Sequence, residues 1–196
     1  MTDTEDAPDA ESAAAAGDQA AYVETLRANR EEKDEFFAEH PQSPIPPDRR
    51  DGFDGLSYFP PDPRFRVEAT VKVYPDPEPV EMETTAGPPV RYLRVALFEF
   101  ELEGQPQTLS GYRQEGETGE LFVPFTDETT GEETYHHGRY MEFQPERNLR
   151  DGDTVVLDFN LGYNPFCEFS ETFSCPITPD ENHLNVRVEA GEKHWE

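Results

Sequence analysis

The chain is short of lysine, cysteine and long apolar runs, and each shortage excludes something. Lys33, Lys72 and Lys193 are its lysines, and Lys plus Arg total 16 against 43 Asp plus Glu. Affinity for a nucleic-acid backbone comes from Lys and Arg neutralising phosphates, so a surface this poor in cations excludes such a partner. An anionic membrane surface is disfavoured for the same reason. Long apolar runs are missing too: the stretch Val95, Ala96, Leu97, Phe98 is far short of a membrane span. The opening residues, Met1 to Asp6, lack the basic start and apolar stretch of a secretion signal. Together these absences predict a cytoplasmic protein with neither nucleic acid nor membrane as partner.

The two cysteines, Cys167 and Cys175, are not spaced as a CxxC pair, and no second pair exists. Structural zinc is therefore disfavoured, and no metal site is expected. A disulfide and two buried free thiols both remain open, because a reducing cytoplasm favours thiols while the spacing permits a bridge. No Gly-x-Ser-x-Gly elbow, phosphate loop, dinucleotide glycine fingerprint or His-Glu-x-x-His occurs, so no motif names a cofactor.

What is present in excess is acid. The formal charge is −27 at pH 7. A surplus of this size repels itself in dilute buffer and resists compaction. At molar salt the Debye length falls to about 3 Å, which screens that repulsion. The acid is spread along the whole chain, so the composition reads as a halophilic adaptation of the entire surface. Apolar residues are 34% of the total, which is low for a globular domain. The 14 Phe and 8 Tyr compensate, since each buries a large area. A length of 196 residues suits one domain with a single core.

Residues 1–18 contain no aromatic residue and read as a disordered acidic tail. Residues 19–40 read as an N-terminal helix, with Tyr22, Val23, Leu26, Phe36 and Phe37 forming a packing stripe and Pro41 stopping it. A proline-rich stretch follows, carrying Phe53, Leu56, Tyr58 and Phe59 against the core. Short runs with period-2 alternation then predict strands at 65–73, 80–84, 90–102, 107–112, 121–125, 134–143, 154–160 and 185–189. These are about eight antiparallel strands, hence a mainly β domain over 41–196, a barrel or sandwich with one N-terminal α-helix.

Several ordered motifs carry a resemblance. They are Pro124-Phe125-Thr126-Asp127, Gly131-Glu132-Glu133-Thr134-Tyr135 and Gly138-Arg139-Tyr140, then Leu157-Asp158-Phe159-Asn160 and Tyr163-Asn164-Pro165 with Cys167. Cys175-Pro176, Glu181-Asn182-His183-Leu184 and Ala190-Gly191-Glu192-Lys193 complete the series. In these the chain resembles the family catalogued as domain of unknown function 1684, over roughly residues 25–194. It departs at His136 and His137, where relatives typically carry glycines, and at Met141-Glu142. The resemblance implies a shared fold and a shared site but no activity, and many bacterial relatives look secreted. With its acidic, halophile-like composition and no secretion signal, the chain is expected to be a halophilic, archaeal, cytoplasmic member of that family.

The same segments supply the candidate site: Tyr135, Arg139, Tyr140, Asp158, Asn160, Tyr163 and Asn164. On a regular strand, Tyr135, His137 and Arg139 share one face while His136, Gly138 and Tyr140 share the other, so the adjacent histidines cannot chelate one ion. The forked guanidinium of Arg139 suits a carboxylate- or phosphate-bearing ligand. It equally suits a structural ion pair with Asp158, Asp127 or Glu133. The leading expectation is a non-catalytic domain binding a small, anionic ligand. A hydrolase using Asp158 or Glu133 as base, a histidine as partner and Arg139 as charge stabiliser is the alternative. A structural or interaction protein, in which these residues only hold loops together, is the third.

Overall fold

The computed structural model of the chain describes residues 10–117, 119–145 and 147–195. Its sheet has six strands: β1 (Arg66–Met82), β2 (Val90–Leu102), β3 (Gln105–Gln114), β4 (Leu121–Phe125), β5 (Arg139–Phe143) and β6 (Thr154–Asp158). All neighbours pair antiparallel in the order β5-β4-β3-β2-β1-β6, and the sheet curls into a half-barrel. The tightest connection joins β2 to β3. Leu102 pairs with Gln105, and the two residues between them, Glu103 and Gly104, both have positive φ (51° and 72°). That is the backbone a two-residue hairpin with the right-handed sheet twist requires.

Period-2 alternation places Ala69 and Val71 of β1 and Ala96, Phe98, Phe100 and Leu102 of β2 in one core with Val123 and Phe125 of β4. The mouth of the half-barrel is filled from the C-terminal segment, where Leu184, Val186, Val188 and Ala190 alternate inward.

The count of eight strands is corrected to six, and the reasons are local. The expected strands at 65–73 and 80–84 are one strand, β1, with a register shift between Val73 and Glu78. The expected strand at 134–143 begins only at Arg139, because Tyr135 to Gly138 forms a turn closed by Gly138 N–H donating to Tyr135 O at 3.0 Å. Strand β6 stops at Asp158 and passes into a 3-10 turn, Phe159–Leu161. The segment at 185–189 alternates like a strand but has no ladder. Its Val188 N–H donates instead to the Asp127 carboxylate at 3.2 Å, and Val186 O accepts from Glu128 N–H at 3.1 Å.

Helix α1 runs Ala10–Glu39, beginning before the expected start at 19, so residues 10–18 of the expected tail are helical and residues 1–9 lie outside the described residues. It docks through Tyr22, Leu26, Arg30, Lys33 and Phe37, spaced as one helical face. Tyr22 donates to both carboxylate oxygens of Asp158 at 2.9 and 2.8 Å, and Arg30 to Phe59 O at 2.8 Å. Lys33 pairs with the buried Glu192, and Asp34 accepts from Leu56 N–H at 3.0 Å. Phe37 sits with Ile45 and Phe169 in a second apolar cluster. No described helix is long and apolar enough to cross a membrane.

Candidate functional site

The expected site residues divide into three places. Arg139, at the start of β5, has a fully buried side chain. Its guanidinium meets Asp127 at 2.7 Å and donates to the carbonyls of Val188 at 2.9 Å, Glu192 at 3.3 Å and Ala190. The rings of Phe125 and Phe59 stand over it at 4.9 and 5.9 Å. Asp127 is saturated in turn, its Oδ1 accepting from Thr129 N–H at 2.7 Å and Val188 N–H at 3.2 Å. This arrangement staples the C-terminal segment into the half-barrel. Three carbonyls and a carboxylate take up the two terminal nitrogens, and the Nε, though unpartnered, is buried, so the guanidinium is not open to a ligand.

Asp158 and Asn160 hold a different joint. Asp158 receives Tyr22 from α1 and lies 3.7 Å from Arg66. Asn160 exchanges two hydrogen bonds with the backbone of Asp62, accepting its N–H at 2.9 Å and donating to its O at 2.8 Å. The two were expected on one strand face, but the turn after β6 makes Asp158 a cap that accepts from Asn160 N–H at 3.1 Å. Glu133 pairs with Arg187 and Lys193. Among the described residues no hydrogen bond or ion pair joins any two of Glu133, Asp158 and Arg139.

Tyr135, Tyr140, Tyr163 and Asn164 do gather, around the loop that follows Tyr163. Tyr140 and Tyr163 form an antiparallel bridge with N–H to O distances of 2.8 and 3.0 Å, which fixes the start of the loop against β5. Asn164 is buried. Its N–H donates to Glu192 at 2.7 Å and its Nδ2 to Lys193 O at 2.7 Å, while its Oδ1 has no partner. Glu192 therefore joins this loop to Lys33 of α1.

Two clefts flank the loop. The larger, about 870 Å³, is lined by Arg49, Thr85, Tyr135, His136, Cys167 and Glu168 among others. The second, about 610 Å³, is a more apolar groove between Tyr140, Tyr163, Phe166 and Phe173, with Lys33 and Glu142 on its rim. A smaller recess of about 220 Å³ shares Tyr140 and Tyr163 with it and continues to Tyr92 and Phe122. The rings follow one another: Tyr92 to Phe122 at 5.4 Å, Phe122 to Tyr140 at 4.7 Å and Tyr140 to Tyr163 at 5.8 Å. Burial raises the phenols of Tyr140 and Tyr163 far above their ordinary range, with Glu142 adding to the second, so both are neutral hydroxyls.

The two cysteines are free thiols in the wall between these clefts, Cys167 facing the larger and Cys175 the groove. Cys167 N–H donates to Cys175 Sγ at 3.3 Å, and Tyr135 Oη lies 3.5 Å from Cys167 Sγ. Hydrogen bonding from Cys175, opposed by burial and helped by Tyr135 and Thr85, lowers the Cys167 thiol below the usual thiol range. Its hydrogen bond to Cys167, together with burial, pushes Cys175 well above the usual thiol range. His136 and His137 stand side by side in the turn before β5, ring centroids 4.0 Å apart, and no group of three or more metal-binding side chains occurs among the described residues.

Lys33, Glu142, Phe166 and Phe173 were missing from the sequence-based site. Lys33 reads as one charge on a polar helix, and Phe166 and Phe173 as ordinary core residues. Only the path of the loop brings them to Tyr140 and Tyr163.

Fold and site thus define a small half-barrel domain braced by a long helix, with paired clefts around one loop. Residues 51–193 match the family described as "Protein of unknown function (DUF1684)", and the chain belongs to that family. Its structure is similar to the solution NMR structure of an uncharacterized protein from gene locus rrnAC0354 of Haloarcula marismortui. The two share 55% sequence identity with a TM-score of 0.71, over 90% of this chain and 96% of that one. No curated protein matches the chain.

Proposed function

We propose that this domain binds a small molecule in the groove beside Tyr140 and Tyr163, without catalysis. The observation that carries the reading is the groove itself. Its volume of about 610 Å³ falls in the range of small-molecule sites, its walls are largely apolar with Tyr140, Tyr163, Phe166 and Phe173 among them, and a few polar groups lie around it. Tyr140 is held by its hydroxyl donating to Pro176 O and Tyr163 by the bridge to β5, so the rings are positioned before any ligand arrives.

The chemistry of the groove modifies the expected ligand. Arg139 is not available as an anion clamp, Lys33 is already paired with Glu192, and Glu142 is exposed at the rim. These features favour a flat, apolar body carrying a hydrogen-bond donor or a positive charge toward Glu142, rather than an anion. The acid excess supports a high-salt, cytoplasmic setting. Melting temperature is expected to rise from dilute buffer to molar salt, and a midpoint independent of salt would contradict that setting.

The test of the groove is a thermal-shift screen with aromatic amines and neutral aromatics at fixed molar salt. At least one compound is expected to raise the melting temperature of the wild type, with the shift lost in Tyr163→Ala and retained in Asp158→Ala. If no compound acts, or if Tyr163→Ala responds like the wild type, the groove is not a binding site.

A further inference from the structure

The wall between the clefts combines features that a structural cysteine does not need. Cys167 N–H donates to Cys175 Sγ at 3.3 Å, which holds the two cysteines against each other. A phenol, Tyr135, lies 3.5 Å from the Cys167 sulfur, and Thr85 Oγ1 accepts Cys175 N–H at 3.1 Å. Structural cysteines are inert because apolar surroundings keep them protonated; a sulfur with a phenol and a second cysteine beside it is set apart from that kind. The arrangement is also asymmetric. Cys167 is half-buried and faces a cleft of about 870 Å³, whereas Cys175 is only 9% exposed and lies on the groove side of the wall, away from that cleft.

We propose that Cys167 and Cys175 form a redox-active dithiol that exchanges with a low-molecular-weight disulfide entering the larger cleft. The Cys167 thiolate attacks one sulfur of that disulfide. The incoming S–S bond breaks, one half leaves as a thiolate and takes a proton from solvent, and the other half stays on Cys167 as a mixed disulfide. Cys175 then loses its proton and attacks the Cys167 sulfur. This forms the Cys167–Cys175 bond and expels the second half, which leaves as a thiol. The protein is oxidised by two electrons and the small disulfide is reduced by two to a pair of thiols. The order of the two sulfurs follows from access: the more exposed one attacks and the buried one resolves. This inference does not depend on any ligand in the aromatic groove.

The probe is oxidised glutathione added to the reduced full-length chain at molar salt, followed by intact mass and free-thiol counting. The wild type is expected to pass through a single glutathione adduct to a monomer two hydrogens lighter than the reduced protein, with both thiols lost. In Cys175→Ser the adduct persists on Cys167. In Cys167→Ser, uptake of glutathione slows by about tenfold or more, as expected when the thiolate of a pair is removed. Circular dichroism of both variants, compared with the wild type, separates lost chemistry from lost fold. The proposal is overturned if the wild type yields no intramolecular disulfide, if the product is a covalent dimer, or if folded Cys167→Ser reacts as fast as the wild type.

Discussion

Around Arg139, a carboxylate, three carbonyls and two rings occupy the reachable faces of the guanidinium head; around Cys167, open volume begins one side chain away. Both regions are built from the motifs that mark the family, and both are rich in polar groups. The difference lies in where the hydrogen bonds lead. Those of Arg139 and Asp127 end on the backbone at 188–192 and at Thr129, so their removal would release the segment that plugs the half-barrel. Those at Cys167 end on other side chains with an open cleft beside them, so they can change partner without moving the fold. Polar detail in a sequence is therefore not itself a sign of a site; what matters is whether the polar atoms are used up by the backbone.

The largest effect expected from this contrast is at the closed region. Arg139→Ala leaves Asp127 buried without its cation and three carbonyls without a donor, so it should lower unfolding stability by about 3–5 kcal/mol in denaturant titration. A loss below about 1 kcal/mol, the scale of an ordinary surface change, would break the comparison. Next comes Gly138→Ala. Gly138 has φ of 92°, and a Cβ there would lie 2.6 Å from Phe125 O and 2.6 Å from Thr178 Oγ1. Left-handed strain plus a clash with fixed backbone should cost about 1–3 kcal/mol or more, read from the same titration.

At the open region the expected effect is on reactivity instead. Iodoacetamide should alkylate Cys167 selectively, at a rate that climbs with pH below the ordinary thiol range, because the thiolate is the reacting form and a lowered thiol forms it at lower pH. Cys175, shifted the opposite way, should remain unmodified over the same range. Equal labelling of both cysteines, read by peptide mapping, would erase the distinction between an attacking and a resolving sulfur.

The parts of this contrast legible in the sequence were those carried by period and by shape-restricted residues. The alternation at 65–73, 90–102 and 121–125 located β1, β2 and β4, and Gly104 located the tightest hairpin. The helix was recognisable, and its expected stripe held Tyr22, Leu26 and Phe37 of the docking face; Arg30, Lys33 and Asp34 were not legible, because they bind through polar groups that leave no apolar period. The segment at 185–189 misled for the opposite reason. Its alternation is real and buries Val186 and Val188, yet its hydrogen bonds go to a carboxylate and a loop, which no periodicity encodes. At the site, Asp127 was among three named partners for Arg139. Choosing among them needed the turn at Tyr135 to Gly138, which the strand expectation had erased. The gathering of Lys33, Tyr140, Tyr163 and Cys175 depends on contacts between distant parts of the chain, and side-chain chemistry alone does not show it.

The smallest effect is expected at His136, and it sets the sharpest limit on the comparison. His136 is exposed, whereas Arg139, three residues later, is completely enclosed. Its ring rests 4.5 Å from Tyr135 and 4.0 Å from His137, contacts that lie on the surface of the larger cleft. Among the described residues its side chain makes no hydrogen bond, so truncation strands no buried partner and opens no cavity. His136→Ala should therefore change unfolding stability by no more than about 0.5 kcal/mol, the range of surface substitutions away from special features. Gly138→Ala, two positions along, is expected to be severe, so the pair brackets the border between open and closed regions within a single turn. If His136→Ala proves as costly as Gly138→Ala, the whole turn belongs to the staple around Arg139, and the larger cleft would be a seam of the scaffold instead of a place where Cys167 meets other molecules.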